Sequence, residues 1–393
     1  MKLDQPYDLL GGLSPDTFMR RHWQRKPLLI RNAIANFKPP LTLAGVKQLA
    51  KNDEVQSRLI WREDERWQME HGPFARLPKA GEPGWTLLVQ SVEQHSDAAA
   101  ELMQRFRFIP DARLDDIMIS IATDGGGVGP HFDSYDVFLL QAVGQRRWRI
   151  GRQRDLSLEP GLPLKVLSHF EPEEEYVLNP GDMLYLPPQV AHDGIAMGDC
   201  MTISIGFRAP TEAVLARGML DAAADQVMAR IGQPCGPYGE PPLPGPKLAG
   251  LYRDPGQSAV DTPAALPQNL VEAALKAVAK VSFDPALAHR FLGCWLTEPG
   301  QTTYFDDASD DIDLAEAWPE SGALVLDRRS RMLYRDKQLF INGEVAEAPA
   351  TPALRLLADE RRLPLSHPSC KSLSLNAREM LSEWLAHGWL HVR

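Results

Sequence analysis

The chain has 393 residues, 44% of them apolar, with 52 acidic against 42 basic side chains and a formal net charge of -10. That length suits two or three globular domains, and no apolar run approaches the length of a membrane span. An acidic chain gains nothing from counterion release on nucleic acid, so tight DNA or RNA binding is disfavoured and a basic partner is favoured.

The opening stretch MKLDQPYDLLGG lacks the basic-then-apolar pattern of a secretion signal. SPDTFMRRHW (14–23) predicts a helix with Ser14 as N-cap and a proline at its first position, and PLLIR after Lys26-Pro27 predicts a strand. Apolar spacing predicts helices over 41–51 and 92–106, the second opened by Ser91 and Gln94 in a capping-box pattern. Between them, VQSRLIWREDERWQMEHGPF predicts a hairpin. His71 beside Gly72-Pro73 reads as a loop residue, and His95 as exposed near a helix start.

From Asp115 the period changes to two. DDIMISIAT alternates Ile117, Ile119 and Ile121 with Asp116, Met118 and Ser120, and either set suits the interior of a small barrel. Further strands are expected at 134–142, 146–151, 163–168, 174–178, 182–186 and 200–207. Many short strands between Gly/Pro turns predict a jelly roll or cupin-type double sheet. His169, near EPEEEY, reads as a loop histidine.

Inside that region lies GGGVGPHFDSYDVFLLQAVGQRRW, residues 125–148. His131 and Asp133, two apart on an extended segment, face the same way. About sixty residues on, NPGDMLYLPPQVAH joins a turn, a short strand and a Pro-Pro break to His192. Two histidines and one carboxylate leave half of an octahedron open, the arrangement of non-haem Fe(II) oxygenases. Zinc more often takes three or four nitrogen or sulfur ligands. Asp136 is expected to face outward, and Asp193 carries no assigned role.

After Pro210 the pattern turns helical, over 211–231, 267–281 and 284–295, interrupted by GQPCGPYGEPPLPGPK, which reads as a loop or linker. These helices suit either an oligomer interface or a packing layer on the same chain. The acidic stretch YFDDASDDIDLAEAWPES is expected to set off a last unit. That unit has strands over 322–345 with an Asn342-Gly343 hairpin signal, two helices and a closing WLHVR strand, a pattern like a winged helix. From 301 onward acidic residues outnumber basic ones, which favours a structural or protein-binding role over DNA binding. Four cysteines (Cys200, Cys235, Cys294, Cys370), none in a CxxC pair, fit a reducing, cytoplasmic setting.

GGGVGPHFDSYDVF, RRWRIG, PGDMLYLPP and ISIGFRAP together resemble the JmjC branch of the 2-oxoglutarate- and Fe(II)-dependent oxygenases, and within it the bacterial ribosomal oxygenases of the YcfD type. The resemblance extends over almost the whole chain. It implies a double-stranded β-helix (jelly roll, JmjC/cupin) catalytic domain over 1–210, a helical dimerisation region over 211–300 and a winged-helix-like domain over 301–393. It further implies Fe(II), 2-oxoglutarate and O2 at the site, with His131, Asp133 and His192 as metal ligands. By position in the family pattern Arg146 pairs with the far carboxylate of 2-oxoglutarate, Ser120 adds a hydrogen bond, and Arg147 points to the other face. The family hydroxylates an arginine of large-subunit ribosomal protein L-sixteen. Asp116, Met118, Tyr135 and Ser204 match its substrate contacts, Asp116 toward the guanidinium and Met118 along the aliphatic stem. On the residues alone Asp116 is equally a turn carboxylate. Three other readings stay open: the same chemistry on a histidine, asparagine, lysine or other residue of another protein, a cupin metalloenzyme that does not use 2-oxoglutarate, and a non-catalytic scaffold with a vestigial pocket.

Overall fold

The computed structural model describes residues 2–64, 66–79, 81–306 and 312–393. The chain forms two compact units, residues 1–209 and 210–393.

The first unit runs α1 (Pro15–Arg21), β1 (Leu28–Ile30), α2 (Leu43–Leu49), β2 (Ser57–Glu63), β3 (Arg66–His71), β4 (Trp85–Val89), α3 (Asp97–Gln104), β5 (Leu114–Ala122), β6 (Asp136–Gly151), β7 (Glu174–Leu178), β8 (Met183–Leu186) and β9 (Ala191–Phe207). The Ser14 side chain accepts from the Thr17 amide and Pro15 opens α1, as its sequence requires. The strands form one antiparallel system in the order β1-β8-β6-β9-β5-β4-β2-β3, with β7 also on β6. One edge of β6 meets β9 along its length; the other meets β8 over Val137–Leu140 and β7 over Arg146–Ile150. Register shifts at Gln141/Val143 and Val143/Gln145, with Gly144 at φ 61, mark the corner between those halves. A Cβ at Gly144 would lie 2.2 Å from the Asp199 carbonyl oxygen, so only glycine turns this corner. The result is a double-stranded β-helix.

Alternation along β5 decides which face is which. Ile117, Ile119 and Ile121 join Leu87, Val89, Ile203 and Ile205 in the main core, while Asp116, Met118 and Ser120 line a cavity on the other face. Five local expectations need correction, two of them on histidines: His71 ends β3 instead of lying in a loop, and His95 is half-buried instead of exposed. The strands expected at 134–142 and 146–151 are one strand, and 200–207 is the end of another that begins at Ala191. Residues 163–168 form no strand; the only pairing there is a single bridge between Leu158 and Leu167. The helix expected from Val92 starts at Asp97, capped by Ser96, whereas Ser91 makes no side-chain cap and sits in left-handed backbone at φ 52.

In the second unit, α4 (Glu212–Arg230) and α6 (Pro285–Thr297) pack through Ala222, Ala223, Leu287 and Phe291. The Pro/Gly-rich segment between α4 and α5 (Gln268–Val278) is a pinned loop near its start. Gln226 Nε2 donates to the carbonyls of Tyr238 (2.6 Å) and Gly239 (3.0 Å), and Arg290 Nη1 donates to that of Glu240 (2.8 Å). The end of the chain holds β10 (Ala323–Leu326), β11 (Met332–Arg335), β12 (Gln338–Ile341), β13 (Glu344–Val345), α7 (Pro352–Glu360), β14 (Arg362–Pro364), α8 (Leu375–Ala386) and β15 (Leu390–Val392). They make two three-stranded sheets, β14-β10-β15 and β11-β12-β13. Asn342 and Gly343, at φ 48 and 92, form the turn that their sequence announces. Part of the acidic stretch expected before this unit, residues 307–311, lies outside the described residues.

Candidate metal centre

His131 and His192 meet across an isolated antiparallel bridge, each backbone N–H donating to the other's carbonyl at 2.9 and 2.8 Å. The glycine approach permits this. A Cβ at Gly127 would fall 2.7 Å from the Gly194 carbonyl oxygen, and one at Gly129, at φ 78, would meet the Trp67 ring at 2.8 Å. Asp133 is fixed from behind, its carbonyl accepting from the Gln189 amide at 2.8 Å.

The two rings lie 4.3 Å apart between centroids. His131 Nδ1 is 2.9 Å from the Gly129 carbonyl oxygen, and His192 Nδ1 is 2.9 Å from that of Val190. A carbonyl only accepts, so each Nδ1 donates to it and each ring leaves Nε2 as its nitrogen available to the site. His192 Nε2 stands 3.6 Å from Asp133 Oδ2, and one ligand atom from each of the three residues lies within 4.8 Å of the others. Burial, and then the adjacent His131, push His192 down to about 4, so its ring is neutral near pH 7. Two imidazoles and one carboxylate with their ligand atoms gathered together, each ring fixed by a carbonyl behind it, fit a divalent metal.

The triad opens on a cavity of about 610 Å³. Arg146 lies in its wall, 4% exposed, with Nη1 donating to Ser120 Oγ at 3.1 Å. Its Nε and Nη2 are buried without a protein partner, and its guanidinium carbon lies 5.8 Å from the Trp148 ring. A buried guanidinium with free donors beside an open metal triad fits a carboxylate ligand. Arg147, on the other face of β6, does not line the cavity.

Asp116, Met118, Tyr135 and Ser204 line the same cavity, so every residue singled out for the site is brought together there. Partial burial, then the charges of Asp133, Asp116 and Asp115, hold the Tyr135 phenol above its ordinary value, so it stays protonated. Asp136, expected to face outward, is instead fully buried, accepting from Tyr185 (2.6 Å) and Gln24 (3.0 Å) where α1 meets the sheet. Asp193 accepts from Arg149 behind the site. Trp148, two residues after Arg146 and therefore on the same face, lines the cavity and was legible from that spacing. Arg58, and the Pro163–Lys165 stretch read above as part of a strand, are further wall residues that no sequence signal marked.

Residues 101–215 match the JmjC domain, and residues 280–391 match the ROXA-like winged helix. The chain is 34% identical to ribosomal protein uL16 3-hydroxylase of Escherichia coli, over 88% of each chain. The chain belongs to the JmjC ribosomal oxygenases. Within this family it is also 32% identical to a probable ribosomal oxygenase of Haemophilus influenzae, over 84% of this chain and 82% of that one. The crystal structure of the Escherichia coli ribosomal oxygenase YcfD superposes with a TM-score of 0.77 at 30% identity, covering 96% of this chain and 98% of that one. A structure of YcfD in complex with cobalt and 2-oxoglutarate superposes with a TM-score of 0.75, again at 30% identity and with the same coverage. The fold is thus that of the JmjC/cupin oxygenases, followed by a winged helix.

Proposed function

We propose that this ribosomal oxygenase is a 2-oxoglutarate- and Fe(II)-dependent protein hydroxylase whose target is an arginine side chain of a basic ribosomal protein, large-subunit L-sixteen (uL16). The observation that carries the reading is the union, in one cavity, of the His131/Asp133/His192 triad and the buried, half-satisfied Arg146 guanidinium. The relatives support the target: one is a uL16 3-hydroxylase, and YcfD is solved with cobalt and 2-oxoglutarate.

His131, Asp133 and His192 hold the iron. Arg146 pairs with the far carboxylate of 2-oxoglutarate, and Ser120 shares its Nη1 and stands ready as a second contact. When bound, the iron and 2-oxoglutarate activate O2 for oxygen insertion into a C–H bond, with succinate and carbon dioxide as co-products. That chemistry requires no general base, and the chain's part is placement. Asp116 faces the target guanidinium, Tyr135 and Ser204 offer neutral hydroxyls, and Met118 lies along the aliphatic stem.

No helix of the described residues is long and apolar enough to cross a membrane, and a ribosomal target puts the enzyme in the cytoplasm. Residues 1–210 serve as the catalytic domain, 211–300 as a dimerisation region and 301–393 as a winged-helix domain that does not bind DNA. The homodimer reading rests on α5, which buries none of its residues yet exposes Leu270, Val271, Leu275 and Val278. The test is a reaction of the protein with Fe(II), 2-oxoglutarate, O2 and an arginine peptide. Succinate and a peptide one oxygen heavier are expected in equal amounts, and neither with His131→Ala. Succinate without peptide oxidation would refute the arginine target, and no succinate at all would refute the oxygenase.

A further inference from the structure

We infer that Gly206 is a specificity-determining residue: it floors a slot between the Asp116 carboxylate and the Tyr135 ring, and its missing side chain leaves the width that a flat guanidinium needs. This rests on the arginine reading above. Gly206 lies on β9 beside Val137 of β6 and lines the cavity together with Asp116, Tyr135 and Ser204. A Cβ placed on it would reach 3.3 Å from Asp116 Oδ1 and 3.9 Å from Tyr135 Cε2. Its φ lies outside the left-handed range, so backbone strain does not explain the glycine. What glycine leaves here is space.

Whether a methyl at this position would fill the slot or push its wall aside depends on how firmly Asp116 is held. The register of β5 against β9 shifts between Leu114 and Ile117, a bulge that carries Asp116. Bulges beside active sites re-aim a side chain. The other carboxylate oxygen, Asp116 Oδ2, accepts from the Ser91 amide at 3.3 Å. The next amide along the bulge, Ile117 N–H, donates to the buried Glu93 carboxylate at 2.8 Å. Ser91 itself is held at φ 52, a left-handed conformation uncommon for serine, so the brace behind Asp116 is built at a local cost. Asp116 is therefore anchored while Tyr135, 38% exposed, bounds the slot on the open side. An added methyl would occupy the space between them.

The test uses cobalt-substituted protein saturated with 2-oxoglutarate, so that peptide binding is read without turnover. Gly206→Ala should weaken binding of an arginine peptide by about tenfold or more, the discrimination one methyl group can produce in a shaped pocket. Its affinity for 2-oxoglutarate should match that of the wild type. In a Tyr135→Ala background, with one wall removed, the penalty of Gly206→Ala should shrink to about threefold or less, because neighbouring groups in one slot are not additive. Unchanged peptide affinity in Gly206→Ala would overturn the inference. So would an equal loss of 2-oxoglutarate affinity, or a penalty as large in the Tyr135→Ala background. A wild-type protein that oxidises 2-oxoglutarate but neither binds nor hydroxylates the arginine peptide would remove the arginine reading, and this inference with it.

Discussion

Arg146 is 4% exposed, and Ser120 satisfies one of its terminal nitrogens while Nε and Nη2 find no protein partner. A buried charge left in that state is costly, by several kcal/mol, unless a ligand completes it. Arg146→Met should therefore raise the KM for 2-oxoglutarate by about 100-fold, or roughly 3 kcal/mol, the scale of a truncated buried charge pair. Arg147→Met, on the opposite face, should stay within about twofold of wild type on the same assay. Equal effects from the two variants would contradict the assignment. A second residue-scale case lies in the other unit, where the Asp327 carboxylate, 4% exposed, accepts from Arg329 Nε (2.8 Å), the Arg329 amide (2.9 Å) and His391 Nε2 (2.9 Å). Burial alone would raise its pKa, but the hydrogen bonds from Arg329 and His391 outweigh it and hold the group down to about 2, against 3.8 for an ordinary aspartate. A depressed acid stabilises the fold above its unfolded value and loses that contribution as pH falls through its folded value. The second unit should thus lose about 2 kcal/mol of stability between roughly pH 4 and pH 2. Unfolding curves across that window should be flatter for Asp327→Asn.

At the scale of elements, β5 was readable because one face is buried against the core and the other lines a cavity, so strict alternation in sequence becomes strict alternation in space. The triad was readable for a related reason: His131 and Asp133 share a face by spacing alone, and His192 follows a turn, a strand and a Pro-Pro break. What the sequence hid are corners. A Gly144 bend inside β6 looks like a strand end, because local periodicity is lost there while the pairing with β9 continues on either side. Ser91 carries the chemistry of a helix cap, but its left-handed backbone makes no side-chain cap, its amide is committed to Asp116, and the α-helix starts only at Asp97, after Ser96. Asp136 follows a serine and a tyrosine in a polar stretch, and its tertiary contacts with Tyr185, Gln24 and Arg113 explain its burial. Tyr185→Phe should cost about 1–3 kcal/mol by leaving that buried carboxylate short of a donor, measurable by chemical denaturation. The helix α5 buries none of its residues. An 11-residue helix with no buried residue is marginal by itself, so a partner surface is expected over Val271, Leu275 and Val278. Leu275→Glu should convert a dimer to a monomer by light scattering while the metal centre, on the other unit, still binds cobalt.

For the molecule as a whole, two features converge on a basic protein substrate: a net charge of -10 and a cavity whose polar wall carries Asp116 opposite a neutral, protonated Tyr135. One relative is the ribosomal protein uL16 3-hydroxylase of Escherichia coli. On the arginine reading, selection of the substrate falls to the residues that line the rest of the cavity, Asp116, Tyr135 and Gly206 among them. The measurement that bears most directly on this account is the intact mass of every large-subunit ribosomal protein from cells with and without the gene for this chain. Loss of one oxygen from a single protein, uL16, mapped to one arginine, is the predicted result. Identical masses for all of them would contradict it.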